Sequence, residues 1–424
     1  MKKDYPVRGV LLALSISALM MSAGLVAETS AEDEKHIAQN VILLIGDGMG
    51  HSQVTAARME KASWNLTEYA STDLFMDKMD YCGYVTTYSS NSFVTDSAPA
   101  ATAMATGQKT DNGVISQDST ATTKVMDGKN LTTILELAEE KGLSTGLVTT
   151  TRITHATPAA FYAHVNDRDN EAEIANQLIQ SGVEVALGGG LSYFVDKNET
   201  DPLGGNGRRA DDRNLIEEAE ALGYTFVYNG TAFRNLNATE TEKLLGLFDS
   251  SHMLYEKERL SMTDREPSLA EMTEMAIAIL SGNSKGFFLM VEGGRIDHAG
   301  HERSLRDITM DTLAFDEAVK AALDFALMSN DTLVIVTADH ECGGLVLQPE
   351  NLDSYEGGGV NPIFGSGTTK TVGPRYDFIT EMEEATHTAV DVPIMASGPG
   401  AESVSRGRLD NTQIFNIMRE SLGI

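Results

Sequence analysis

A chain of 424 residues, 42% of them hydrophobic, is long enough for one large α/β domain or two smaller ones. Its 62 Asp+Glu against 32 Lys+Arg give a net charge of -30, which excludes nucleic acid and anionic membranes as partners for the surface as a whole. An anionic substrate is then a puzzle unless bound cations reverse the local field.

At the N-terminus, Lys2, Lys3 and Arg8 precede a mostly apolar stretch from Gly9 to about Leu25, followed by small and acidic residues. This secretory pattern predicts a leader over 1–27, cleaved between Gly24 and Ala31, a linker over 28–40, and a periplasmic or secreted product. The apolar stretch is short for a membrane span, and no later segment is long and apolar enough. The acidic excess suits a soluble exported protein, and one adapted to salt. The two cysteines, Cys82 and Cys342, lie far apart and do not form a disulfide framework.

VILLIG (41–46) predicts a buried strand that runs into the turn GDGMG. Glycine turns after strands usually cradle phosphates with backbone N–H groups. Asp47 sits inside this one, where its charge should repel a phosphate. TDSAPAATAMATG (95–107) predicts a helix start, with Asp96 or Ser97 as cap and Pro99 in the first turn. Ser97 reads either as a cap or as a nucleophile at a helix N-terminus; spacing does not separate the two. No G-x-S-x-G elbow is present, so acyl transfer lacks support.

Further along, helical patterns (131–142, 171–182, 268–280, 310–326) alternate with apolar runs of strand length (144–150, 183–190, 286–294, 332–340, 392–398). That alternation predicts one domain over 41–424, a three-layer α/β/α sandwich around a mostly parallel sheet. The stretches 196–213 and 355–373 read as surface excursions. Ligands of open α/β sheets sit beyond the carboxyl ends of the strands. Those ends deliver Asp47, Glu292, and Asp339 with His340 to one edge.

In VEGGRIDHAGHE (291–302), Asp297 and His301 are four apart, so on a helical turn both face one way, as two ligands of one Zn²⁺ would. Asp339 and His340 suit a metal or an acid–base pair, while Cys342 reads as a buried inert thiol rather than a further ligand. The segment 150–168 offers His155, Thr157 and Arg168, the last a natural clamp for two phosphate oxygens. His387 precedes the last long strand. His36, His51, His164 and His252 read as surface or packing residues.

Taken together, GDGMG, TDSAPAATAMATG, THATPAAFYAHVNDR, VEGGRIDHAGHE, TADHECGG and THTAVDVP resemble the alkaline phosphatase family, in that family's order and from about residue 40 onward. The resemblance implies one zinc on Asp297, His301 and His387, a second on Asp47, Asp339 and His340, and a Mg²⁺ on Asp47, Thr157 and Glu292. It makes Ser97 the nucleophile that becomes phosphorylated and Arg168 the clamp on the phosphate. Two Zn²⁺ and one Mg²⁺ per chain would then answer the charge puzzle. Phosphate monoesters would be the substrates, inorganic phosphate the product, and a homodimer the assembly. His155 and His298 neighbour the third metal, where some bacterial members carry Asp and Lys; the pair resembles the animal enzymes. A further Ca²⁺ site would involve the Phe248 carbonyl, Asp249 and Glu266. Two rival readings are a sulfatase or phosphodiesterase of the same superfamily and a non-catalytic metal- or phosphate-binding protein. The first lacks a C/S-x-P-x-R motif, and the second has no need of Ser97.

Overall fold

The structure is a computed structural model that describes residues 38–263, 266–349 and 385–424, with short strands at Val360–Ile363, Thr369–Thr371 and Asp377–Ile379 between them. The expected leader, most of the linker and most of the 355–373 excursion lie outside the described residues.

One 10-stranded sheet organises the chain. Its strands are β1 (Asn40–Gly46), β2 (Tyr81–Thr86), β3 (Ser144–Arg152), β4 (Val185–Gly189), β5 (Thr225–Val227), β6 (Leu244–Leu247), β7 (Phe287–Gly293), β8 (Thr332–Thr337), β9 (Val392–Ser397) and β10 (Arg408–Asp410). In space they run β10-β2-β9-β8-β1-β7-β3-β4-β6-β5. All pairings are parallel except those of β9, which runs against both β8 and β2. Every residue of β1, β7 and β8 is buried, which is why these runs are continuously apolar rather than alternating. Both edge strands span only three residues, a length that offers little template for edge-to-edge pairing.

Helices cover both faces, giving the expected three layers. One layer holds α1 (His51–Lys61), α7 (Leu269–Leu280) and α9 (Leu305–Ser329). The other holds α2 (Ser97–Thr106), α3 (Ile134–Lys141) and α10 (Thr412–Leu422). Short α4 (Ala156–Ala159) and α8 (Arg295–His301) sit at the carboxyl ends of β3 and β7, while α5 (Glu171–Gln180) and α6 (Leu215–Ala221) flank β4 and β5. Local signals set the helix ends. Ser268 with Glu271, and Thr133 with Glu136, form reciprocal capping boxes, and Gly142 ends α3 in the left-handed region at φ 72°. The 310–326 pattern understates α9, because Ser304 caps it earlier and Asn330 ends it later at φ 58°.

The expected strands are all present; β2, β5, β6 and β10 are additions. They are short, and β2 is half exposed, so they carry little apolar run. The 196–213 stretch is a largely exposed surface excursion, as expected, pinned at a few buried residues. Arg209 in it is only 2% exposed, donates to the Ala172 carbonyl at 2.7 Å and pairs with Asp211. Both cysteines are free, Cys82 exposed and Cys342 buried. Among the described residues no helix is long and apolar enough to cross a membrane.

Candidate metal centre

Parallel register brings the polar residues to one edge. Ile45 of β1 pairs with both Glu292 of β7 and Thr337 of β8, and Glu292 pairs with Thr149 of β3. The residues just beyond this row therefore converge, with Asp47 from β1 at the centre. α8 then carries Asp297 and His301 back over the edge, the loop after β8 presents Asp339 and His340, and α4 begins just after His155 with Thr157 inside it. Gly48 adopts φ 70°, and its N–H donates to Asp339 at 3.0 Å, so the glycine turn ties β1 to the β8 loop.

Among the described residues three groups of donor atoms result, each with all atoms within 4.8 Å of one another. Asp297, His301, Cys342 and His387 form the first, Asp47, Asp339 and His340 the second, and Asp47, His155 and Glu292 the third. Asp47 belongs to two of them. The Thr157 hydroxyl faces the Glu292 carboxylate of the third group. His301 and His387 use Nδ1 on the carbonyls of Ala385 (2.6 Å) and Thr95 (2.9 Å), so their Nε2 atoms face each other at 3.1 Å. Two acceptor lone pairs in that position call for a cation between them.

The charges say the same. Asp47 is fully buried and both its oxygens lack a hydrogen bond, as do Glu292 Oε1, Asp297 Oδ1, Asp339 Oδ2, His340 Nδ1 and the Thr157 hydroxyl. Among the described residues the only basic neighbours of these oxygens are the imidazoles of His340 (3.1 Å from Asp339 Oδ2, 3.7 Å from Asp47 Oδ1) and His387 (3.3 Å from Asp297 Oδ1), and so many buried acids on so few donors mark a site that fits cations. Burial, and then the carboxylates of Asp339, Asp297 and Glu292, push Asp47 far above the usual range. Burial lifts Glu292 to about 7 against the hydroxyls of Thr149 and Thr157, and lifts Asp339 to about 6 with help from Asp297. Burial opposes charge on His387, but its contact with Asp297 wins and raises it to about 9. Without metal, a proton there performs the neutralisation that a cation would.

Ser97 and Arg168 face the second and third groups. The Asp96 carboxylate accepts from the Ala98 N–H at 2.7 Å and caps α2, so Asp96 is the cap and Ser97 the first helical residue. This frees the Ser97 hydroxyl, which lies 3.3 Å from His340 Nε2 at the positive end of the helix. Asp96 also accepts from Arg168 Nη1 at 3.1 Å, while Arg168 Nη2 donates to His155 Nε2 at 3.0 Å. A guanidinium held from two sides in this way has its orientation fixed before any anion arrives.

His298 is not among the grouped donors. Its Nδ1 meets Arg295 at 2.7 Å, and its ring lies 5.8 Å from that of His155. Sequence reasoning missed three contributors. Of the two readings of His252, surface or packing, the second holds, and it packs beside the site: its ring sits 4.3 Å from His298 and 5.4 Å from His155, against Arg152. Thr149 and Thr151 both donate to Glu292 Oε2, the latter at 3.0 Å, leaving Oε1 free to face inward. Their signal was a run of threonines at the end of an otherwise apolar strand. Asp249 and Glu266 are raised by burial, Glu266 to about 7 with Asp249 adding to it, but they fall in no three-donor group among the described residues.

A sequence model of the family described as alkaline phosphatase matches residues 38–357. The chain is 37% identical over 407 residues to an alkaline phosphatase of Gadus morhua, covering 88% of this chain and 80% of that one. It is 34% identical over 476 residues to alkaline phosphatase 3 of Bacillus subtilis, covering 97% and 95%. The alkaline phosphatase of the Antarctic bacterium TAB5 superposes with a TM-score of 0.73 at 29% identity, covering 91% and 99%. A histidine-to-aspartate variant of that enzyme has Mg bound in its M3 site.

Proposed function

The chain belongs to the alkaline phosphatase family, whose members are metal-dependent phosphomonoester hydrolases, and from that premise we propose how its own residues do the work. Asp297, His301 and His387 would hold one Zn²⁺ and Asp47, Asp339 and His340 a second. Asp47, Glu292 and Thr157 would hold a Mg²⁺ beside His155, and His298 neighbours that third site. Nitrogen-and-carboxylate sets suit zinc and the oxygen-rich set suits magnesium. The Mg bound in the TAB5 variant supports the third assignment. When bound, these ions supply Lewis acidity and positive charge at the attacking and leaving oxygens.

The chain's residues supply position. Ser97 Oγ is the nucleophile: it loses its proton, attacks phosphorus in line, and expels the alcohol to leave a phosphoserine. Water then releases inorganic phosphate and restores the hydroxyl. Arg168, braced by Asp96 and His155, clamps the non-bridging oxygens, and the N-terminus of α2 adds a fixed partial charge. Asp47 resolves the charge puzzle of the glycine turn, since its carboxylate faces cations rather than the phosphate.

The observation that carries this reading is the Ser97 hydroxyl, whose hydrogen-bond partner is His340 Nε2 at 3.3 Å, over a cluster of buried carboxylates. Ser97→Ala should lower kcat/KM by at least about 10³-fold and abolish acid-trapped phosphoprotein, with metal content unchanged. Phosphoprotein persisting in that variant would overturn the assignment. Export with removal of the leader rests on the N-terminal sequence pattern, and homodimerisation on the family resemblance; N-terminal sequencing and light scattering test them. Salt adaptation rests on the net charge of -30, and a stability maximum near zero salt would count against it.

A further inference from the structure

The first group contains a donor with no place in the ligand sets above. Cys342 lies in a two-residue strand, Glu341–Cys342, that pairs with His387–Thr388 so that His387 and Cys342 are direct partners. Cross-strand partners present their side chains on the same side, which sets the thiol beside the imidazole. Sγ of Cys342, an oxygen of Asp297 and ring nitrogens of His301 and His387 all lie within 4.8 Å of one another. The thiol is fully buried.

Its surroundings keep that position open. A Cβ at Gly48 would lie 2.8 Å from the Cys342 Cβ and 2.9 Å from the Asp297 Cα, and a Cβ at Gly300 would lie 3.0 Å from the Cys342 sulfur. Two glycines on separate elements thus leave the room in which Cys342 and Asp297 sit side by side. Asp297 is 5% exposed, and its two oxygens meet the Nε2 atoms of His387 (3.3 Å) and His301 (3.4 Å), so the partners of its carboxylate come from within the same donor group.

We propose that Cys342 is a fourth protein donor to the first metal, completing an N2OS set with His301, His387 and Asp297 that also accepts thiophilic divalent ions such as Co²⁺ and Cd²⁺. The inference rests on the first site being a metal site. On binding, the S–H proton leaves to solvent and a sulfur–metal bond forms, with no change of oxidation state. Catalytic zinc usually keeps three protein donors and an open position, so with sulfur as a fourth donor a reacting oxygen enters only by expansion to five-coordination. The added sulfur tightens retention of the ion in a site that must release product repeatedly.

The test is reconstitution of metal-free Cys82→Ser protein with Co²⁺, followed by absorption spectroscopy. The proposal expects visible d–d bands together with a near-ultraviolet sulfur-to-cobalt charge-transfer band. Adding Cys342→Ser should remove the charge-transfer band, keep the visible bands, and weaken first-site Co²⁺ binding on the order of 10-fold or more. Visible bands without charge transfer in the Cys342-containing protein would overturn the sulfur ligand and leave the site intact. Failure to retain cobalt at all would overturn both. Should the serine variant not fold, ¹¹³Cd NMR of the unsubstituted chain decides: a first-site resonance in the thiolate range supports the proposal, and one in the nitrogen–oxygen range overturns it.

Discussion

Asp316 and Asp47 are both buried aspartates in the same α/β/α layers, 1% and 0% exposed, yet the chain treats them in opposite ways. Asp316, on α9, accepts from the backbone N–H groups of Phe75 (2.9 Å) and Met76 (3.0 Å) and pairs with Lys61 at 3.3 Å. Glu171, at the start of α5, is likewise filled by the Arg152 guanidinium and the Thr154 hydroxyl. These acids tie segments together, and the protein provides every donor. Asp47 accepts no hydrogen bond on either oxygen, Glu292 Oε1 accepts none, and the inward oxygens of Asp297 and Asp339 meet only the imidazoles of His387 (3.3 Å) and His340 (3.1 Å). Burial removes water from both regions at similar cost. An acid that fastens structure is saturated by its own chain, whereas an acid that awaits a ligand is left short on the side the ligand will occupy.

Chelation should separate the two regions most strongly. Removing metal leaves the donor-poor edge to bound protons and the His387 imidazole for neutralisation, and leaves the Asp316 and Glu171 networks intact. With free metal at about 1,000 times Kd, the loaded chain gains about 4 kcal/mol over the metal-free one, read as a fall in Tm on adding EDTA and its recovery with Zn²⁺ and Mg²⁺. An unchanged Tm would erase the distinction. Next in size is Asp316→Ala, which orphans two backbone donors and should cost about 1–3 kcal/mol in denaturant unfolding. It should leave metal content and kcat unaltered; lost metal would mean that the two regions are not separate.

The smallest effect lies in pH. In the metal-free chain Glu292 is raised from 4.5 to about 7 and Asp339 from 3.8 to about 6. The folded chain then holds protons that the unfolded chain has released, so these groups favour folding in mild acid and lose that contribution as pH rises through 4 to 7. Bound metal takes the place of those protons. The Tm gap between loaded and metal-free protein should therefore widen from pH 5 to pH 8, by differential scanning fluorimetry. A gap that narrows would show the acids to be saturated in some other way.

Much of this contrast is legible in the residues alone. Strand-end acids and histidines stand out because apolar runs of β1, β7 and β8 stop abruptly at them, and α8 is short enough for Asp297 and His301 to declare a shared face. What the sequence could not separate was cap from nucleophile. That choice depends on which residue takes the extended N-cap conformation, and Asp96 does, at φ -100° and ψ 174°. His252 stayed hidden for a topological reason: it follows β6, a four-residue strand too short to announce a strand end. The contact between Cys342 and His387 depends on two two-residue strands 45 positions apart, by the register that pairs them (387 minus 342), and no periodicity marks so short a ladder.

Among the described residues Asp47 alone belongs to two donor groups, so it offers the sharpest single test: metal stoichiometry by native mass spectrometry of the unsubstituted chain and of Asp47→Ala. The unsubstituted chain should carry three divalent ions, and Asp47→Ala should keep only the one held by the first group. An active chain without divalent metal, or an Asp47→Ala chain that still holds all three, would contradict the assignment of these bare acids as a metal centre.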